Sequence, residues 1–137
     1  MNEPVWIRQD VVLAMHEEAL MLHGGAEGVR DLGLLESALA RPKNLFAYSE
    51  QIPSLAWFAA SYAKGIVANH PFVDGNKRTG FLLGVLFLEL NGLVFEAAEE
   101  DATIAVRALA SKGLNEKEYN SWLYANVGSR VKRMSKK

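Results

Sequence analysis

The run from residue 70 to 91, HPFVDGNKRTGFLLGVLFLELN, constrains this chain most, because it sets a polar loop directly before a strongly apolar helix. Pro71 biases His70 away from helical geometry. Asp74, Gly75 and Asn76 are turn and N-cap residue types, so regular helix is expected to begin close to Lys77. Between Phe81 and Leu90 only Gly84 and Glu89 interrupt the apolar positions, and the helix is therefore expected to be the central, buried one. Gly80 and Gly84 share one face, which lets a neighbouring helix approach closely, and Gly92 suits the C-terminal cap.

Lys77 and Arg78 fall in the first turn of that helix, where the macrodipole and the unpaired N–H groups are already electropositive. Two cations there make sense if an anion such as a phosphate is held by the N–H groups and both side chains together. The other reading is a snorkelling basic pair on an ordinary capped helix. His70, a few residues earlier, can take a proton from an incoming hydroxyl, although a lone histidine can equally be structural. Asp74 is either an N-cap or a carboxylate that holds magnesium beside a bound polyphosphate, with waters completing the shell. Phe72 reads as the anchor that pins the loop to the core.

His70, Phe72, Asp74, Gly75, Asn76, Lys77 and Arg78 resemble the H-x-F-x-[D/E]-G-N signature of Fic-fold nucleotide-dependent transferases, and more narrowly the Doc (death-on-curing) toxins. Residues 24–42, GGAEGVRDLGLLESALARP, resemble the stretch upstream of the motif in Doc proteins. In adenylyl-transferring Fic proteins the signature continues as Gly-Arg-x-x-Arg; this chain has Lys77 at the glycine and Phe81 at the second arginine, both in the Doc pattern.

The resemblance implies a compact all-α Fic/Doc-like bundle that transfers phosphate from ATP to a Ser/Thr hydroxyl of a protein in the translation machinery, with elongation factor Tu as the target. His70 is then the general base and Asp74 holds Mg2+, while Gly75, Asn76, Lys77, Arg78 and backbone N–H groups bind the nucleotide phosphates. The alternatives are AMP transfer, against which the bulk of Lys77 and the missing guanidinium at Phe81 argue, and a binding module without turnover. The inhibitory [S/T]-x-x-x-E-[G/N] motif of some Fic proteins is absent, so restraint is expected from a separate antitoxin. Its amphipathic segment would order in a groove lined by the first helix and a flap.

The remaining residues agree with one cytoplasmic domain. A chain of 137 residues, 50% hydrophobic and 23% charged, can bury one sizeable core. Without cysteine there is no disulfide framework and no thiolate nucleophile. Met1 to Asp10 has no apolar segment of signal-peptide type, and the run around Leu86 is too short to span a bilayer, so no membrane partner is expected.

In chain order, Val5, Trp6 and Ile7 suggest a minor strand or a staple before a first helix from Val11 to His23, with Asp10 as its N-cap and Val12, Met15, Ala19 and Leu22 inward. His16 and Glu17 do not extend to H-E-x-x-H, since position 20 is Leu20; His16 reads as a packed histidine and His23 as a favourable C-terminal one. Asp31 caps a second helix through Ala40, with Leu32, Leu35 and Leu39 on one side, that Pro42 ends. Residues 42–52 are then a connection, the segment that in Fic-fold proteins forms a flap aligning the target polypeptide. Pro53 begins a third helix to Asn69 with a stripe of Leu55, Phe58, Tyr62 and Ile66.

After Gly92, Leu93 to Phe95 read as a short extended piece, acids precede a helix through Ala110, and Asn115 caps a last helix to about Val127. The expected architecture is a bundle of about six helices with little or no sheet, in a single domain over 1–127. Residues 128–137, GSRVKRMSKK, are expected to form a disordered basic tail. That tail carries five of the fifteen basic residues, and the formal net charge of −1 becomes −6 once those five are set aside. Ten residues without aromatics on an acidic body do not amount to a nucleic-acid interface.

Overall fold

The computed structural model describes residues 2–129. Among these the elements run α1 (Gln9–His23), α2 (Leu32–Tyr48), α3 (Leu55–Asn69), α4 (Asn76–Leu90), β1 (Leu93–Phe95), α5 (Glu99–Ala110), α6 (Glu116–Ala125) and β2 (Val127–Ser129). The two strands form an antiparallel ribbon in which Val94 faces Gly128, so the architecture is the expected helical bundle with very little sheet. Strand β2 takes in the first two residues of the stretch assigned to a tail; the rest of that stretch lies outside the described residues. No helix among the described residues is long and apolar enough to cross a membrane.

The central helix is α3 and not α4. Nine of the residues of α3, Ala56 to Ala60 without Trp57, then Ser61 to Ala63, Gly65 and Ile66, are buried around most of its circumference, whereas Phe81, Leu82, Val85 and Leu86 of α4 are only half-buried. Small side chains explain the exchange. Alanines at 56, 59, 60 and 63 keep α3 slim enough for neighbours on several sides, so it takes the middle despite the bulkier composition of α4.

Gly80 and Gly84 do the expected work against α3. A Cβ at Gly84 would stand 3.1 Å from the Ala59 carbonyl, and one at Gly80 3.1 Å from Val67 and 3.2 Å from the Ala63 carbonyl. On the other side of α3, a Cβ at Gly65 would stand 3.1 Å from Ala38 of α2. Helices α2, α3 and α4 thus meet backbone to backbone, and Phe58, Tyr62, Phe87 and Trp6 fill the core between them with rings at 5.4 to 6.1 Å.

Several boundaries differ from expectation. Helix α2 passes through Pro42 and reaches Tyr48, so most of the expected connection is helical. A proline inside a helix costs about 3 kcal/mol, and here that cost is offset because Pro42 is buried and the extra turns pack Leu45 and Phe46 on the core. Of the stretch expected to form a flap, residues 49–52 are not helical, and Tyr48 at its edge is 84% exposed.

Helix α1 begins at Gln9 with Arg8 at the cap. Asp10, expected there, lies inside the first turn and pairs with Arg8 at 2.7 Å. Its inward face is Val12, His16, Ala19 and Leu20; Leu22 is 71% exposed, because the stripe is rotated slightly, so that His16 and Leu20 reach the loop before α4. Leu32 is likewise exposed, while Leu35 and Leu39 are buried as expected. Helix α3 begins at Leu55 and not at Pro53, with Ser54 as its cap, the hydroxyl accepting from Trp57 N–H. The N-terminal segment makes no strand among the described residues; Val5 exchanges two hydrogen bonds with the Asn91 side chain at 2.8 and 3.1 Å. Asn115 caps α6 in a reciprocal box with Glu118, and Val127 belongs to β2 instead of that helix.

Candidate active site

The loop between α3 and α4 is built from inside outward. Phe72 is fully buried and stacks on His16 of α1 with ring centroids 3.8 Å apart. Asn76, 4% exposed, turns its amide back into the loop: Nδ2 donates to the Phe72 carbonyl at 2.9 Å and Oδ1 accepts from Phe72 N–H at 3.0 Å. This side chain, expected among the phosphate ligands, is committed to the loop, and what position 76 offers the cleft is a first-turn N–H.

His16 completes the frame. Its Nε2 lies 2.7 Å from the Asp74 carbonyl, which can only accept, so the proton sits on Nε2. Position 75 favours glycine because its φ of 79° is one that residues with a side chain rarely adopt, although a Cβ there would meet Leu20 and His16 only at ordinary contact, 3.5 and 3.7 Å. Having no side chain, Gly75 caps α4 without a hydrogen bond to it, and the first-turn N–H groups stay open beside Lys77 and Arg78. Both cations are exposed, and neither is ion-paired among the described residues.

Asp74 is exposed and bound on both oxygens: Oδ2 accepts from Ala26 N–H at 3.1 Å and Oδ1 from Gly75 N–H at 2.8 Å. The bond from Ala26, then that from Gly75, hold its carboxyl below the ordinary carboxylate range, and the positive character of His16 and His70 adds to them. The carboxylate keeps lone pairs to spare after these two bonds. His70 is the C-terminal cap of α3, in left-handed backbone at φ 52° and ψ 53°, and its side chain is exposed. For a residue other than glycine such backbone costs roughly 1–3 kcal/mol and persists only where surroundings enforce it.

Those surroundings are the segment 25–31, part of the stretch that resembles Doc proteins, in which the sequence singled out only Asp31, as a cap. Val73 N–H donates to the Gly28 carbonyl at 3.0 Å, Arg30 N–H to the Pro71 carbonyl at 2.6 Å, and Asp31 N–H to the same carbonyl at 3.0 Å. The Arg30 side chain reaches the carbonyls of Asn69 and His70. Gly25 must be glycine: its φ is 126°, and a Cβ would stand 2.9 Å from Asp74 Oδ2 and 2.8 Å from Leu20. These contacts are mostly backbone, which explains why no residue type announced them; His16 and Arg30 are the two side chains that could have.

His70, Asp74, Gly75, Asn76, Lys77 and Arg78 all line one cleft of about 750 Å³, a size that suits a nucleotide. Its opposite wall is apolar and comes from Phe95 of β1 and from Ala102 and Val106 of α5, with Thr103 and Arg107 adding polar groups. Phe81, in the wall with the cations, meets Phe95 edge-on at 5.7 Å. The cleft therefore has an electropositive end that also carries a histidine and a carboxylate, and an apolar end wide enough for a ring.

A model of the Fic/DOC family matches residues 6–88. The chain belongs to the Fic/DOC family. It is 38% identical over 90 residues to a protein named Toxin Doc from Mycolicibacterium smegmatis, a match covering 66% of each chain. It is 34% identical over 94 residues to Protein kinase doc of Escherichia phage P1, covering 68% of this chain and 74% of that one. In this Fic/DOC chain the matched span ends in α4, so it includes the loop and its frame, while the α5 wall lies beyond it.

Proposed function

We propose that this protein is the toxin of a toxin–antitoxin pair and transfers the γ-phosphoryl group of ATP to a Ser/Thr hydroxyl of a translation factor, elongation factor Tu in the first instance. The observation that carries the reading is the convergence in one cleft of His70, Asp74 and an uncapped helix N-terminus flanked by Lys77 and Arg78. The names of the two relatives, a toxin and a protein kinase, support it.

In this reading the N–H groups of the first turn of α4, with Lys77 and Arg78, hold the phosphates and neutralise charge as the terminal phosphoryl group moves. His70 takes the proton of the acceptor hydroxyl, whose oxygen bonds phosphorus as the bond to ADP breaks. Asp74 would be the carboxylate for magnesium, since it lines the cleft and keeps lone pairs beyond its bonds from Ala26 and Gly75, and one carboxylate plus phosphates and water is the usual magnesium shell. When bound, that ion would supply further charge neutralisation at the phosphates.

The nucleotide base occupies the apolar end against Phe95 and Val106. The antitoxin segment takes up the exposed apolar side chains of α1, where Met21 is 86% and Leu22 71% exposed. Intact-mass analysis of purified translation factors after incubation with the protein, ATP and magnesium tests the reading. A gain of one phosphate on one factor is expected; a gain of AMP turns the reading to adenylyl transfer, and no gain on any factor overturns it.

A further inference from the structure

His70 precedes a proline, and a residue in that place relaxes to extended backbone unless something holds it. Here it sits at φ 52° and ψ 53°. One restraint is the ordinary helix-end bond from His70 N–H to the Ile66 carbonyl at 3.0 Å. The other is a side chain from a distant segment. Arg30 Nε donates to the His70 carbonyl at 2.7 Å and Nη2 to the Asn69 carbonyl at 2.9 Å.

These two carbonyls lie at the negative end of α3, where they lack helical donors and favour a cation. A guanidinium presents two N–H groups in a fixed fork and can hold both acceptors at once, whereas a lysine ammonium is a point charge on a flexible stem. The Arg30 backbone is itself fixed, because its N–H and that of Asp31 both donate to the Pro71 carbonyl. The peptide units on either side of His70 Cα are therefore gripped by one short segment, and the backbone dihedrals of His70 decide where its Cβ points.

We propose that Arg30 is a positioning residue for the reacting histidine: its fork holds the Asn69 and His70 carbonyls and so fixes His70 in the left-handed backbone that presents its ring to the cleft. Arg30 does not line the cleft, so it acts through His70 and not on the nucleotide. The proposal rests on the reading of His70 as the general base.

The test compares the full-length protein with Arg30→Ala and Arg30→Lys in three measurements. These are kcat for label transfer from γ-labelled ATP–magnesium to the proteins of a translation extract, ATP affinity, and the backbone NMR shifts and couplings of His70. Arg30→Ala is expected to lose tenfold or more in kcat with ATP affinity within twofold, to regain part of the rate in added guanidinium, and to move His70 out of positive φ. Arg30→Lys falls between, and it decides the matter if the alanine variant does not fold. Transfer within twofold of wild type, ATP affinity falling in step with the rate, or a His70 that keeps positive φ overturns the proposal. If the wild-type protein transfers nothing, the reading of His70 as base has failed, and retention or loss of positive φ in the variants still judges the grip of Arg30.

Discussion

The two walls of the cleft are built on different principles. The wall made by the end of α3, the loop and the start of α4 is fixed by hydrogen bonds to backbone, with Asn76 and His16 turned inward and two residues in left-handed backbone. The wall made by β1 and α5 rests on side chains: Ala102, Ala105, Val106 and Leu109 face inward, and Phe95 packs against Phe81 and Trp122. The contrast separates a part where atoms must stay within tenths of an ångström from a part that need only offer an apolar surface. The family match covers the first wall and stops before the second.

Substitutions can break or sharpen this contrast. The largest effect is expected at His70: His70→Ala should lower transfer by about a hundredfold to ten-thousandfold, as loss of a general base does, with the melting temperature and ATP affinity little changed. Activity near wild type would mean that the hydrogen-bonded wall frames something other than a base. Next comes Asn76→Ala, which leaves the buried N–H and carbonyl of Phe72 without partners. About 1–3 kcal/mol for each such group predicts a clear fall in the midpoint of denaturant unfolding together with loss of transfer. A variant as stable as wild type would show that the loop is held without its amide.

Asp74→Asn is expected to weaken magnesium-dependent ATP binding, measured by calorimetry with and without the metal. It also carries a pH signature. The folded-state pKa of Asp74 is lowered, so the stability this carboxylate contributes is present above its unfolded value and is lost as pH falls through the lowered folded value. The difference in stability between wild type and the asparagine variant should accordingly be widest near neutrality and close in acid; a gap that widens in acid would reverse the assignment. The smallest effect is expected on the second wall, where Arg107→Ala should change ATP affinity by a few-fold and leave kcat alone. A loss there as large as that at His70 would erase the distinction between the walls.

Much of the fold was legible because its signals are local. The periodicity of α6, Asp31 and Asn115 at caps, and glycines at 80 and 84 each specify a neighbour without reference to the rest of the chain, whereas at α1 the expected cap and part of the stripe differ. Pro42 misled because its effect on a helix is local while the burial that outweighs it is tertiary. The central position of α3 was hidden for the opposite reason: hydrophobicity points to the bulky residues of α4, whereas the middle of a bundle selects for small ones.

At the candidate site the residues that share the cleft were legible from residue type, but the frame that holds them was not. Ala26, Gly28 and Asp31 act through N–H and carbonyl groups that every residue shares, and Arg30 acts across 40 positions of sequence. Asn76 looked like a ligand because an amide next to a phosphate site is chemically suited to one. Its inward turn depends on the path of the Phe72 backbone, which no spacing encodes.

The close packing of α2, α3 and α4 has a consequence for timing. Where helices meet at Gly65, Gly80 and Gly84, even an added Cβ would stand 3.1 Å from the neighbouring helix, so the backbones approach closely and that block has little give. Any breathing of the cleft is then taken up by α5 and β1, which can slide on exchangeable side-chain contacts. In the proposed reaction, nucleotide entry and product escape would be properties of the adjustable wall, so the pace of turnover could be altered there while the bond-making step, anchored in the stiff block, would keep its own rate.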